Sequence, residues 1–420
     1  MKNIDSFYNK FKDIIIKFKD SNNKSIPLCA AENIMSDFAR IPLNSELQEK
    51  YIMGGTISYQ EEDNFIGSKS LFPIYELINE SCKNLFDANY SDPRTLSGMN
   101  TVTTLLMSLA SSGDKILLHM PDAGAHASMP YVCSRLGLKI IEMPYDYENY
   151  NFNIKKINEI IERENIKIVL FSPSDILFPP DFKNLIIKKD VYIIYDATQT
   201  LGLIAGRVLP NPLEEYENII LVGGTHKTIP GPTKGLILIK NMEIAKLIDT
   251  QINPTYLRNT QMHQVLSLLF TLKELEYFGK EYAQQIINSS QILGKELNKL
   301  GFNVIQKNNI YSKTHQVFLE MNSNQLKDFY NNCTYYNVTV NEKFKKLFNY
   351  SGIRIGVQEI SRYNWDKDKL KDIALLLSKI RDNNDEIEIY ELINKINKDK
   401  NLHFTFSEDI AMKFDSIINL

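Results

Sequence analysis

The sequence predicts an α/β fold: a large domain on a mainly parallel central sheet, followed by a smaller α+β C-terminal domain. Three observations carry this. Short β-branched runs alternate with amphipathic helical segments from about residue 70 to 240, the pattern of βαβ units covered by helices on both faces. From Met262 to about Leu300, apolar residues recur at helical spacing with little interruption, which marks one long connecting helix. Beyond it, strand-like runs at Asn303–Ile305, His315–Leu319 and Gly352–Gly356 are interleaved with helical segments.

In chain order, Phe7, Phe11, Ile14, Ile15 and Phe18 line one face of an N-terminal helix. That apolar face predicts an arm packed on the core or on a partner. Leu71–Phe86 and Asn100–Ala110 read as helices, and the Gly113-Asp114 turn leads into a strand at Lys115–His119. Met129–Leu136 and Ile154–Glu164 read as helices, with strands at Lys139–Met143, Ile166–Phe171, Val191–Tyr195, Ile219–Val222 and Gly235–Ile239. Helices follow at Asn324–Asn331 and Asp366–Ile380, while the charged tail from Asp382 has no assigned place. This gives an N-terminal arm at 1–50, a large domain at 51–260, a connecting helix at 261–300 and a small domain at 301–420. Function in such sheets lies in the loops at the carboxyl ends of the strands.

Composition narrows the function classes. The 420 residues are 43% hydrophobic and 24% charged, which excludes a disordered chain. Forty-eight basic against 51 acidic residues leave a net charge of −3, so there is no global footprint for nucleic acid or an anionic membrane. Cys29, Cys82, Cys133 and Cys333 form no C-x-x-C pair, and neither a zinc site nor a redox dithiol is readable. No H-E-x-x-H occurs, and His119 and His126 are not at i, i+4 spacing, so no metal is expected. The charged N-terminus lacks a secretory apolar region, and no apolar run approaches the ~20 residues of a membrane span. A soluble, cytoplasmic protein with reduced thiols is expected.

Local motifs supply the chemistry. The apolar strand Val191–Tyr195 runs into Asp196, then Ala197-Thr198-Gln199. A carboxylate there either meets a ligand or caps the next helix. About 30 residues on, Leu221–Gly224 leads into Thr225-His226-Lys227-Thr228. A P-loop would need Gly directly before the lysine, and His226 stands there instead. Lys227 is therefore a surface residue or a site amine. Ser97-Gly98-Met99-Asn100 opens a helix, whose free N–H groups and dipole suit a phosphate. No G-x-G-x-x-G supports a dinucleotide. Taken together, a phosphate cup, a strand-end Asp and a strand-end Lys are what a pyridoxal phosphate enzyme of the aspartate aminotransferase fold type (fold type I) needs. The Lys joins the cofactor aldehyde, and the Asp keeps the pyridine nitrogen protonated.

At this point the chain resembles the serine hydroxymethyltransferase family over most of its length. Leu28–Ser36 is similar to the family's L-I-A-S-E-N-x-x-S segment, and Ser97-Gly98 to the start of its phosphate loop. Gly124-Ala125-His126, Gly202–Gly206, Pro210-Asn211-Pro212, Thr225–Gly235, Met262-His263 and Gly352–Gly356 resemble further family motifs in the same order. The resemblance implies that His126 stacks on the cofactor and that Ser174 lies near its phenolic oxygen. It implies that Asp196 holds the ring nitrogen, with Gln199 and His226 beside it, and that Lys227 carries the aldehyde. It also implies that Arg354 takes the substrate carboxylate as a bidentate pair. Tyr51 would handle protons, and together with the Arg258 region it would reach the site from a neighbouring subunit. A homodimer with shared sites follows, with a tetramer as the alternative.

Departures from the family are equally informative. Within Lys50–Thr56, Met53 replaces a proton-handling glutamate, and a thioether carries no proton. Ala31 replaces a serine, Met99-Asn100 a Ser-Gln, Gln199 a histidine and Thr233 an arginine. Arg258-Asn259 replaces the Gly-Gly that reaches the partner's phosphate, and an arginine there offers a charged fork. The expected activity is cleavage or formation of Cα–Cβ in a β-hydroxy-α-amino acid of the glycine, serine or threonine type, as a folate-independent aldolase or transaldolase. The alternatives are an aminotransferase or decarboxylase of a specialised amino acid, and a non-catalytic paralogue.

Overall fold

Six short runs rich in aliphatic residues and the segment Tyr90–Asp92 pair into one sheet in a computed structural model of the chain, which describes residues 4–54, 56, 65–186, 188–383 and 385–419. Gly55 of the tyrosine segment lies outside these residues. The strands are β1 (Tyr90–Asp92), β2 (Lys115–Leu118), β3 (Lys139–Glu142), β4 (Ile166–Phe171), β5 (Tyr192–Asp196), β6 (Ile219–Gly224) and β7 (Gly235–Ile239). Their order is β1-β7-β6-β5-β4-β2-β3. Neighbours from β3 to β6 pair parallel, and β7 is antiparallel to both β6 and β1.

The uninterrupted apolar character of the central strands has a direct cause: both faces are covered. Val169, Phe171, Ile193, Tyr195 and Leu221 point into one core, and Ile168, Leu170, Ile194, Ile220 and Val222 into the other. The second core is closed by Val102, Leu105, Leu106 and Leu109 of the helix Gly98–Leu109. The first is closed largely by the 38-residue helix Met262–Lys299, which buries Val265, Leu268, Leu272, Ile286 and Leu293.

A second sheet combines β8 (Asn303–Val304), β9 (Gln316–Glu320), β10 (Asn341–Lys343) and β11 (Gly352–Gly356) in the antiparallel order β8-β9-β11-β10. Ile26–Pro27 pairs with Val338–Thr339, and Gly356 N–H donates to the Leu28 carbonyl, so the early chain is stitched to this sheet. Two helices, Glu386–Asn397 and Glu408–Ile418, complete the tail. The first buries Ile389, Ile393 and Ile396, and the second sets Phe414 against Phe38 and Phe270. Among the described residues no helix is long and apolar enough to cross a membrane.

Two elements go beyond what the sequence specifies. The N-terminal helix forms, spanning Ile4–Lys24, but it buries none of its residues: Phe7, Phe11, Ile14 and Phe18 remain exposed within the single chain. Helical periodicity sets the element, whereas what covers it depends on tertiary neighbours. Strand β1 has no signal in the sequence, because three residues bounded by Asn and Pro give no alternation to detect.

β1 matters for the site because it begins a buried ionic cluster. Arg94 is fully buried and donates to Asp92 Oδ2 at 2.6 Å, to Asp249 Oδ1 at 2.9 Å and to the Gly54 carbonyl at 2.8 Å. Gly54 N–H donates to Asn253 Oδ1 and Thr56 N–H to Asp249 Oδ1, both at 2.7 Å, so the cluster pins the segment that carries Tyr51 and Met53. Removing Asp92 would leave three buried Arg94 donors, its backbone N–H, Nε and an Nη2 N–H, without their acceptor. Asp92→Ala is expected to cost about 3–5 kcal/mol in urea unfolding; a loss under about 1 kcal/mol would contradict this role.

Candidate active site

The carboxyl ends of β5 and β6 lie side by side, with Asp196 registered opposite Val222. Above them opens a cavity of about 180 Å³. It is lined by Ser97, Gly98, Met99, His126, Ser174, Asp196, Gln199, His226 and Lys227. Residues spread over 130 positions of sequence thus converge because parallel strands deliver every loop to the same edge. A larger polar depression of about 670 Å³ sits at the amino ends of the strands and holds none of these groups.

The phosphate cup follows from helix capping. Ser97 is the N-cap of Gly98–Leu109, and its hydroxyl accepts from Asn100 N–H at 3.2 Å. The first-turn N–H groups of Gly98 and Met99 have no intrahelical acceptor, and the helix dipole is positive there. Close approach favours Gly98: a Cβ would lie 3.0 Å from Gly224 N and 3.1 Å from Thr198 Oγ1, so these neighbours would have to give by a few tenths of an ångström.

Thr198 is a site residue that sequence reasoning passed over. It donates from both its N–H and its hydroxyl to Asp196 Oδ1, while that hydroxyl accepts from Gly224 N–H at 2.8 Å. Both bonds fall on one carboxylate oxygen and leave Oδ2 without a hydrogen-bond donor among the described residues. Burial raises the Asp196 pKa, and the Thr198 bonds oppose it; a protonated ring nitrogen beside Oδ2 would lower it again. His126 arrives through Gly124, whose φ of +100° and 2.4 Å Cβ approach to the Asp175 carbonyl exclude a side chain. Ser128 N–H donates to His126 Nδ1, so the neutral ring carries its proton on Nε2. Burial lowers the pKa of His126, and that of His226 to about 4. Both rings are neutral at pH 7.

Lys227 has no ion-pair partner among the described residues, and burial, reinforced by the Arg354 charge, lowers its pKa to about 8. Its backbone is held by Asn33, which donates to the Lys227 carbonyl and to Tyr282 Oη. Asn33 belongs to the segment Leu28–Ser36, whose part in fixing the lysine no local motif revealed.

Three expected residues stand apart from the cavity lining. Tyr51 is 40% exposed and stacks on Phe65, and exposed Arg258 places Nη1 3.4 Å from Met53 Sδ. Arg354 is buried nearby, but its guanidinium is not an open fork. Nη1 donates to the Ser174 carbonyl at 2.9 Å and to Asp175 Oδ1 at 2.8 Å, and Nη2 and Nε both donate to Asn341 Oδ1. One Nη2 N–H is left over. Asp175, missed in the sequence, is the reason: its partners lie far along the chain.

A model of the family described as serine hydroxymethyltransferase matches residues 4–377. The chain belongs to the serine hydroxymethyltransferase family. The relatives include serine hydroxymethyltransferases of Thermococcus onnurineus, 31% identical over 97% of this chain and 99% of that one, and of Methanocella arvoryzae, 32% identical over 96% and 95%. Among solved structures, L-threonine transaldolase from Pseudomonas fluorescens superposes with a TM-score of 0.90 over 99% of both chains at 21% identity, a likeness of fold. The serine hydroxymethyltransferase family consists of pyridoxal phosphate enzymes acting on amino acids such as serine and threonine. The cavity fits that cofactor: free helix N–H groups for the phosphate, an uncommitted carboxylate oxygen for the ring nitrogen, and a buried amine with no ion-pair partner among the described residues.

The Lys227 pKa makes a testable statement. Only the neutral amine attacks an aldehyde, and its fraction grows as pH rises through the pKa. Capture of pyridoxal phosphate by the apo-protein, followed by visible absorbance, is expected to accelerate with a midpoint near the pKa of about 8 and then level off. A midpoint near the ordinary lysine value of 10.5 would contradict the burial argument.

Proposed function

We propose that the protein makes and breaks the Cα–Cβ bond of a β-hydroxy-α-amino acid without folate, as an aldolase or transaldolase. The observation that carries this is Met53. It occupies the position where the family resemblance places a proton-handling glutamate, and its thioether meets the Arg258 guanidinium, so it neither donates nor accepts a proton. The proposal includes a cytoplasmic homodimer in which Tyr51 and Arg258 of one protomer serve the cavity of the other. Both are exposed in the single chain and neither lines its own cavity, which supports this reading.

When bound, the cofactor supplies the electron sink for the pair released at Cα. The chain supplies the rest. Gly98 and Met99 N–H groups and the helix dipole hold the phosphate. Asp196 Oδ2 keeps a proton on the ring nitrogen, and Thr198 fixes the carboxylate that does so. His126 stacks as a neutral ring. Cleavage removes the β-hydroxyl proton, releases an aldehyde and returns one proton to Cα, giving glycine. The Lys227 amine, with a pKa of about 8, exchanges such protons near neutrality, and Tyr51 is the second group placed for it.

The purified enzyme with threonine is expected to release acetaldehyde and glycine in equal amounts, at a rate unchanged by tetrahydrofolate. Activity confined to serine plus tetrahydrofolate would overturn the reading. Shared sites have their own test. Lys227→Ala and Tyr51→Phe are each expected to be inactive alone. Mixing them with subunit exchange restores about a quarter of wild-type activity, because half the dimers then hold one intact site. No recovery despite proven exchange would mean that Tyr51 serves its own chain.

A further inference from the structure

Asp175 is fully buried and carries three cations. Its Oδ1 accepts from Arg354 Nη1 at 2.8 Å and pairs with Lys343 Nζ at 3.0 Å, and its Oδ2 pairs with Lys345 Nζ at 2.6 Å. Among the described residues none of the three cations has a second carboxylate. The cluster therefore holds a net charge of 3 − 1 = +2 in a place mostly removed from water: the lysine side chains are only 16% and 15% exposed, and that of Arg354 5%.

This charge stands against the cavity wall. Arg354 Nη1 donates to the carbonyl of Ser174, which lines the cavity. Lys345 Nζ donates at 3.1 Å to the carbonyl of Ala125, next to His126, which also lines it. Concentrated like charges are costly to bury unless an anion meets them. One α-carboxylate, bound through the remaining Nη2 N–H of Arg354, offsets a single unit. A second unit is left over on the lysines, each of which retains an N–H beyond these bonds.

We propose that Lys343 and Lys345 form a subsite for a second anionic group, so that the preferred amino acid, or the aldehyde exchanged with it, bears a carboxylate or phosphate on its side chain. The subsite rests on the proposed Cα–Cβ chemistry of the same cavity and names the substrate class for it. Positioning Arg354 through Nη1 serves any amino acid, but the two lysines on Asp175 go beyond that need. Here Asp175 orders three cations whose excess charge selects acidic side chains.

The test compares ligands of matched size by titrating the cofactor absorbance of the holoenzyme at low salt, with calorimetry as a second readout. One arm sets L-aspartate against L-asparagine, and the other O-phospho-L-serine against L-serine. The anionic member is expected to bind about tenfold tighter in at least one arm, and the arm that responds identifies the group. That preference is expected to fall severalfold in Lys343→Met and Lys345→Met, to survive in Lys345→Arg, and to shrink with added salt. Equal or better binding of the neutral member in both arms would overturn the proposal, and so would a preference that persists in the doubly substituted protein. Because the wild-type comparison needs no variant, misfolding of a variant does not shield the idea. If glycine itself leaves the absorbance unchanged, it is the underlying Cα–Cβ chemistry that fails.

Discussion

The site depends on an amine kept out of water with no carboxylate paired to it among the described residues. Lys227 sits beside the Arg354 charge, and burial and that charge together hold its pKa near 8. An amine paired with Asp196 would stay protonated and could not join an aldehyde. Thr198 holds Asp196 Oδ1 from two directions, and no ion pair joins Asp196 to Lys227 among the described residues. Amine and carboxylate hang from different tethers, the ends of β6 and β5.

Those tethers are consequences of the sheet. Parallel pairing of β5 with β6 places Asp196 and the Thr225–Thr228 loop at one edge, and two buried cores hold both strands. The second sheet and the early chain close the site from above. Asn33 fixes the Lys227 backbone, and Gln358 donates to the carbonyls of Cys29 and Glu32, so Leu28–Ser36 is clamped between the two sheets. Arg354 on β11 and Lys343 on β10 arrive through the same junction.

Much of this was legible because its signals are local. Ile166–Phe171, Gly235–Ile239 and Gly352–Gly356 are apolar runs bounded by turn residues, and the strands span those same residues. Ser97, Asp196 and Lys227 each follow a recognisable element end. What escaped is long-range. Asp175 meets Lys345 across 170 positions and Arg354 across 179, so no window of sequence contains the cluster. The contacts of Arg354 with Asp175 and Asn341 escaped for the same reason, being tertiary events. The exposed face of the N-terminal helix is the converse case, where a clear local pattern leaves its partner unspecified.

The most direct test of the central claim is chemical. Reducing the holoenzyme with borohydride and mapping its peptides by mass spectrometry should find the phosphopyridoxyl group on Lys227. Lys234 is a stringent internal control, because it too is a buried lysine, with its pKa lowered to about 7 by burial. Label on Lys227 alone is the predicted result. Label on Lys234, or an unmodified peptide around residue 227, would contradict the account.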